Sequence, residues 1–95
     1  MEKRQWNIRV TGKVQGVHFR ASTKAVADQL GVKGFVVNQP DGSVYLEAIG
    51  DSFALDSIKE WCWEGPEHSA VEDVTIEEVA PKKIYTNFEV LKKSK

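Results

Sequence analysis

The chain has 95 residues, 41% of them apolar and 28% charged, which is enough to bury one continuous core and too few for two. With 13 Lys and Arg against 14 Asp and Glu the net charge is -1, so no general electrostatic pull draws the chain to nucleic acid or to an anionic membrane, and any anion must be caught locally. The single cysteine, Cys62, excludes an internal disulfide and a multi-thiolate metal site and suits a reducing compartment, with a small buried hydrophobe as its simplest role. In chain order, the opening MEKRQWNIRV lacks the apolar h-region of a secretory leader, and no run approaches the roughly 20 apolar residues that span a bilayer. The expectation is a soluble cytoplasmic domain over residues 1–95.

Trp6, Ile8 and Val10 alternate with Asn7, Arg9 and Thr11, the period of a half-buried strand. After the segment Gly12–His18, the residues Phe19, Thr23, Val26 and Leu30 recur at helical spacing, and Gly31 closes that helix as a C-cap. Lys33–Gln39 and Ser43–Ile49 are β-rich runs separated by Pro40-Asp41-Gly42, which predicts a hairpin. Asp51 or Ser52 is placed to cap a second helix of about three turns, with Leu55, Ile58 and Trp61 or Cys62 on its apolar face and Gly65-Pro66 as its stop. Val71–Val79 and Asn87–Leu91 read as a further strand and a short last one ahead of a Lys-rich tail that reads as solvated.

This order predicts an α+β, ferredoxin-like βαββαβ sandwich: a mixed, mostly antiparallel sheet with two helices on one face, a short extra C-terminal strand, and the other face open to solvent. On that architecture Gly12–His18 links the end of the first strand to the start of the first helix, where free backbone N–H groups converge. Arg20 sits in the first helical turn, where a cation is unfavourable unless an anion lies between it and those N–H groups. The alternative is equally concrete: two glycines four apart are common turn residues, and an arginine near a helix start often points into water. Neither a Walker A loop nor GxGxxG is present, so no nucleotide is indicated.

The run Val10-Thr11-Gly12-Lys13-Val14-Gln15-Gly16-Val17-His18-Phe19-Arg20 resembles the acylphosphatase signature, whose diagnostic core is V-Q-G-V-x-F-R. The likeness continues through Leu30–Asn38, Asp41–Val44, Gly65-Pro66 with Ala70, Val71 and Val74, and Phe88, which covers nearly the whole chain. The resemblance implies a small ferredoxin-like enzyme that hydrolyses the carboxyl-phosphate bond of acyl phosphates without metal or cofactor. It implies that Arg20 binds the phosphate together with Gly12, Lys13, Val14, Gln15, Gly16, Val17 and His18, and that Asn38 orients the attacking water. Inorganic phosphate would be product and inhibitor, and the protein a monomer.

The chemistry of the residues agrees with that implication. A carboxylate leaving group has a pKa of about 4, so no strong general acid is needed, and positioning plus electrostatics dominate. Asn38 can accept from a water and donate to an oxygen, whereas a carboxylate there would repel phosphate. Taken alone, Asn38 reads equally as a strand-end asparagine opening the hairpin, and His18 as a solvent-exposed loop residue. His68, Cys62 and the acidic residues show no metal-ligand spacing. Trp61 and Trp63 read as packing and rim aromatics. An RNA-binding module on the same fold would stack bases on its open sheet face, but the third strand offers there only Tyr45, with acidic Glu47 on the same alternation. A non-catalytic anion sensor, or an acylphosphatase-like domain serving carbamoyl phosphate beside larger domains, remains as the other rival.

Overall fold

A computed structural model describes residues 3–81 and 83–92. The described residues form β1 (Arg4–Lys13), α1 (Phe19–Leu30), β2 (Lys33–Asn38), β3 (Val44–Gly50), α2 (Ser52–Glu64), β4 (Ala70–Val79) and β5 (Phe88–Leu91). Lys93 and Lys95 of the basic tail lie outside the described residues, while Lys92 is exposed. Among the described residues no helix is long and apolar enough to cross a membrane.

Alternation in β1 buries Trp6, Ile8 and Val10 on one face. The predicted stripe of α1 is displaced by one position: Phe19, Thr23 and Ala27 are fully buried, and Val26 and Leu30 flank them half-buried. Thr23 tolerates burial because its hydroxyl donates to the Phe19 carbonyl at 2.8 Å. At the C-terminus Gly31 takes φ +74°, the Gly31 N–H donates to the Asp28 carbonyl, and the Val32 N–H donates to Ala27 at 2.9 Å, a Schellman closure. In α2 the cap is Asp51, whose side chain accepts from the Ala54 N–H at 2.8 Å. Cys62, not Trp61, is the fully buried member of its apolar face; Trp61 lies half-buried with its ring 5.2 Å from that of Phe19.

The strand order is β4-β1-β3-β2-β5, with β5 parallel to β2 and every other pairing antiparallel. Because β3 lies between β1 and β2, and β1 between β3 and β4, each helix must cross over a central strand, and both pack on one face as α+β ferredoxin-like architecture requires. The core fills the space between helices and sheet, where Trp6, Ile8, Val10, Val36, Leu46 and Phe88 meet Phe19, Leu55 and Ile58. Exposed Glu72, Asp73, Glu77 and Glu78 keep the edge strand β4 soluble.

The second face of the sheet is less open than the alternation predicts. Gln5, Val37 and Ile49 point to it yet are buried, and Tyr85, from the connection between β4 and β5, stacks against Phe35 with ring centroids 6.1 Å apart. Long cross-strand neighbours shield one another there: Tyr45 also packs on Phe35 and donates to Glu47 at 2.9 Å. Burial, aided by Glu47, raises the Tyr45 hydroxyl far above the ordinary tyrosine range.

Candidate active site

The segment between β1 and α1 is shaped by two residues with positive φ, Gly16 at +75° and His18 at +62°. They turn the chain so that α1 begins at Phe19 with His18 as its N-cap residue, and among the described residues the His18 side chain makes no capping hydrogen bond. The N–H groups of Phe19, Arg20 and Ala21 therefore have no acceptor within the helix, since the first such bond runs from Ser22 to the His18 carbonyl at 3.0 Å. These three residues all line one cavity of about 260 Å³, together with Val14, Gly16, His18, Asn38 and Val90. No Asp or Glu lines it among the described residues, so Arg20 and the helix N-terminus make its field positive.

Two devices hold this arrangement. Gln15 donates through Nε2 to the carbonyls of Gln39 and Ser43, each at 2.8 Å, which ties the β1-to-α1 segment to the hairpin turn. Arg20 donates from Nη1 to the Leu91 carbonyl at 2.8 Å, which aims the guanidinium along the edge of β5. Asn38, the last residue of β2, shares the helix-facing parity of Val36, and its Oδ1 is buried with no hydrogen-bond partner among the described residues. A buried acceptor without a donor is uncommon, and such atoms concentrate where a ligand or water is bound.

Of the residues that the resemblance assigns to phosphate, Val14, Gly16, His18 and Arg20 line this cavity, and Asn38 joins them; Gly12, Lys13, Gln15 and Val17 do not. Gly12 lines a separate hollow with Asp41, Gly42, Ser43 and Glu72, and a Cβ on it would overlap the Ala70 carbonyl oxygen. A close approach between β1 and β4, at the register shift after Thr11, explains that glycine. Lys13 is exposed and Val17 packs against the core. Ala21 and Val90 line the cavity and the Leu91 carbonyl holds Arg20, none of which local sequence patterns single out, because the pairing of β5 with β2 is a long-range contact.

Among the described residues no group of three or more His, Cys, Asp and Glu is arranged to hold a metal. Cys62 is fully buried, and burial pushes its thiol up to about 12, which makes it a core residue.

The acylphosphatase family model matches residues 6–90, from β1 into β5. The chain belongs to the acylphosphatase family. It is 44% identical over 84 residues to the acylphosphatase of Marinobacter nauticus, covering 88% of this chain and 91% of that one. Among solved structures, it is similar to an acylphosphatase from Coxiella burnetii at TM-score 0.89 and 38% identity, with 94% of this chain and 93% of that one covered. The acylphosphatase from Bacillus subtilis superposes at TM-score 0.90 with 34% identity, covering 93% and 98%. These acylphosphatases carry the same ferredoxin-like fold, and the family match includes both the Val14–Arg20 segment and Asn38.

Proposed function

We propose that the protein hydrolyses acyl phosphates to a carboxylate and inorganic phosphate, holding the phosphoryl group between Arg20 and the Gly16–His18 end of the Gly12–His18 loop and orienting the attacking water through Asn38. The observation that carries this reading is that Asn38, whose buried Oδ1 has no hydrogen-bond partner among the described residues, lines the same cavity as Arg20 and the uncapped first turn of α1. One group accepts from water while the others meet a dianionic phosphoryl group, and membership of the acylphosphatase family supports that substrate class.

In this reading the water oxygen forms a bond to phosphorus as the bond between phosphorus and the bridging oxygen breaks. The electron pair stays with the carboxylate, whose pKa of about 4 makes protonation by the enzyme unnecessary. The water's proton leaves to a phosphate oxygen and then to solvent. Arg20 grips phosphoryl oxygens through its planar fork, and the free N–H groups of Phe19, Arg20 and Ala21 spread the developing charge. We further propose that no metal takes part and that the protein acts in the cytoplasm as a single-domain monomer, to which the lone buried cysteine and the small net charge are suited.

The test is release of phosphate from a simple acyl phosphate in the presence of chelator, with a phosphate monoester as control. Turnover of the acyl phosphate alone is expected. Metal-dependent turnover or equal rates on both substrates overturn the reading; phosphate binding with no turnover makes the cavity an anion sensor.

A further inference from the structure

At the far end of the sheet from the Arg20 cavity lies a second hollow of about 220 Å³. Lys33 and Ile49, which line it, pair at one end of the β2-β3 ladder, while Asn38 and Val44 pair at the other, about 16 Å away at an ordinary strand rise. Lys3, Lys33 and Lys83 border it beside Ile49, Ile84 and Tyr85, and its surface is mostly apolar. Among the described residues none of the three lysines makes an ion pair or side-chain hydrogen bond. Ile84 is 96% exposed, an isoleucine held almost wholly in water beside them.

The wall behind these groups is held in place. Tyr85 stacks on Phe35 and donates to Glu47 Oε1 at 3.4 Å. Glu47 also accepts from Gln5 and Tyr45, and it lines the neighbouring hollow, which Lys83 borders as well. Among the described residues no Asp or Glu lines the hollow, so the three lysines give its rim a positive charge beside an apolar surface.

We infer that this hollow binds an aromatic carboxylate, its ring against Ile49, Ile84 and Tyr85 and its anionic group among Lys3, Lys33 and Lys83. Size supports the ring: an apolar cavity of ~150 Å³ holds benzene, so 220 Å³ takes a ring with one compact substituent. Charge complementarity supports the carboxylate, because three lysines that make no ion pair among the described residues border one hollow. The site is independent of the proposed phosphoryl chemistry.

The experiment is a backbone-amide NMR titration of the full chain with benzoate, with inorganic phosphate present throughout as competitor for the Arg20 cavity. Benzoate is expected to shift the amides of Lys33, Ile49, Lys83, Ile84 and Tyr85, with neutral benzyl alcohol about tenfold weaker through loss of several exposed charge interactions. Lys83→Glu, in an exposed connection, should weaken benzoate several-fold, and Ile84→Ser should weaken benzoate and benzyl alcohol alike. Equal binding of benzyl alcohol and benzoate, undiminished binding to Lys83→Glu, or shifts confined to Gly16–Ala21 overturns the inference. Acyl phosphate turnover by Lys83→Glu should equal that of the parent protein, so failure here leaves the hydrolase reading standing.

Discussion

Arg20 and Leu91 are 71 positions apart in the chain, yet the Arg20 guanidinium donates to the Leu91 carbonyl at 2.8 Å. A cation in the first turn of a helix is repelled by the N–H groups beside it, and this carbonyl offsets part of that repulsion while leaving the remaining guanidinium donors for a ligand. The last strand therefore aims the arginine, and it is held in place by Phe88, which is 1% exposed and paired to Gly34.

Phe88→Ala should cost about 3–5 kcal/mol in urea unfolding, because it empties a fully buried aromatic site. In the fraction that remains folded, inorganic phosphate should bind several-fold more weakly although Phe88 does not line the Arg20 cavity. Unchanged phosphate affinity would show that β5 does not position Arg20.

Arg20→Lys and Asn38→Ala should separate binding from chemistry. Lysine keeps the charge but loses the planar fork, so both phosphate affinity and turnover fall. Asn38→Ala should keep phosphate binding within a few-fold while kcat drops by ~100-fold or more. Its stability cost should stay at or below about 1 kcal/mol, since the buried Oδ1 has no hydrogen bond to lose among the described residues. Phosphate titrations and steady-state rates decide it: full turnover by Asn38→Ala excludes the water-orienting role.

His18 and Gly12 should respond in opposite ways to substitution. His18 holds φ +62°, a conformation that costs an L residue about 1–2 kcal/mol, so His18→Gly should stabilise by roughly 0.5–1 kcal/mol after the extra chain entropy of glycine is counted. Its kcat should stay within a few-fold of the parent, because the loop is proposed to act through its backbone. Gly12→Ala should destabilise by about 2 kcal/mol or more, since its Cβ would overlap Ala70 and Glu72 backbone atoms at φ +118°. Thermal unfolding and rates on both variants check this pair.

At low pH, Glu78 should be one site of lost stability. Arg4 donates to its carboxylate at 2.8 Å and Trp6 donates at 3.2 Å, and the Arg4 bond holds the carboxyl below the usual glutamate range. A depressed folded-state pKa stabilises above the unfolded value of about 4.3, and that contribution disappears as pH falls through the folded value. Denaturant midpoints measured from pH 6 to pH 3 should therefore fall less steeply for Glu78→Gln than for the parent chain. A parallel decline of the two would exclude the Arg4 pairing in solution.

Local patterns were legible in the residues themselves. The period of two in Trp6-Ile8-Val10, a cap at Asp51 or Ser52, the Gly31 closure and the Pro40-Asp41-Gly42 turn each depend on neighbours within a few positions, so they can be read from a linear string. The V-Q-G-V-x-F-R run likewise marks Arg20, through its resemblance to the acylphosphatase signature. What tertiary structure decided is everything that required two distant segments to meet. Insertion of β3 between β1 and β2 brings Asn38 to the Arg20 cavity, and pairing of β5 with β2 delivers Val90 to it and the Leu91 carbonyl to Arg20. Gln15 became a tie to the hairpin turn, and Gly12 a contact with β4. The physical reason is that periodicity and capping are short-range preferences of the backbone, whereas strand order and cross-sheet hydrogen bonds are chosen by burial of the whole core at once.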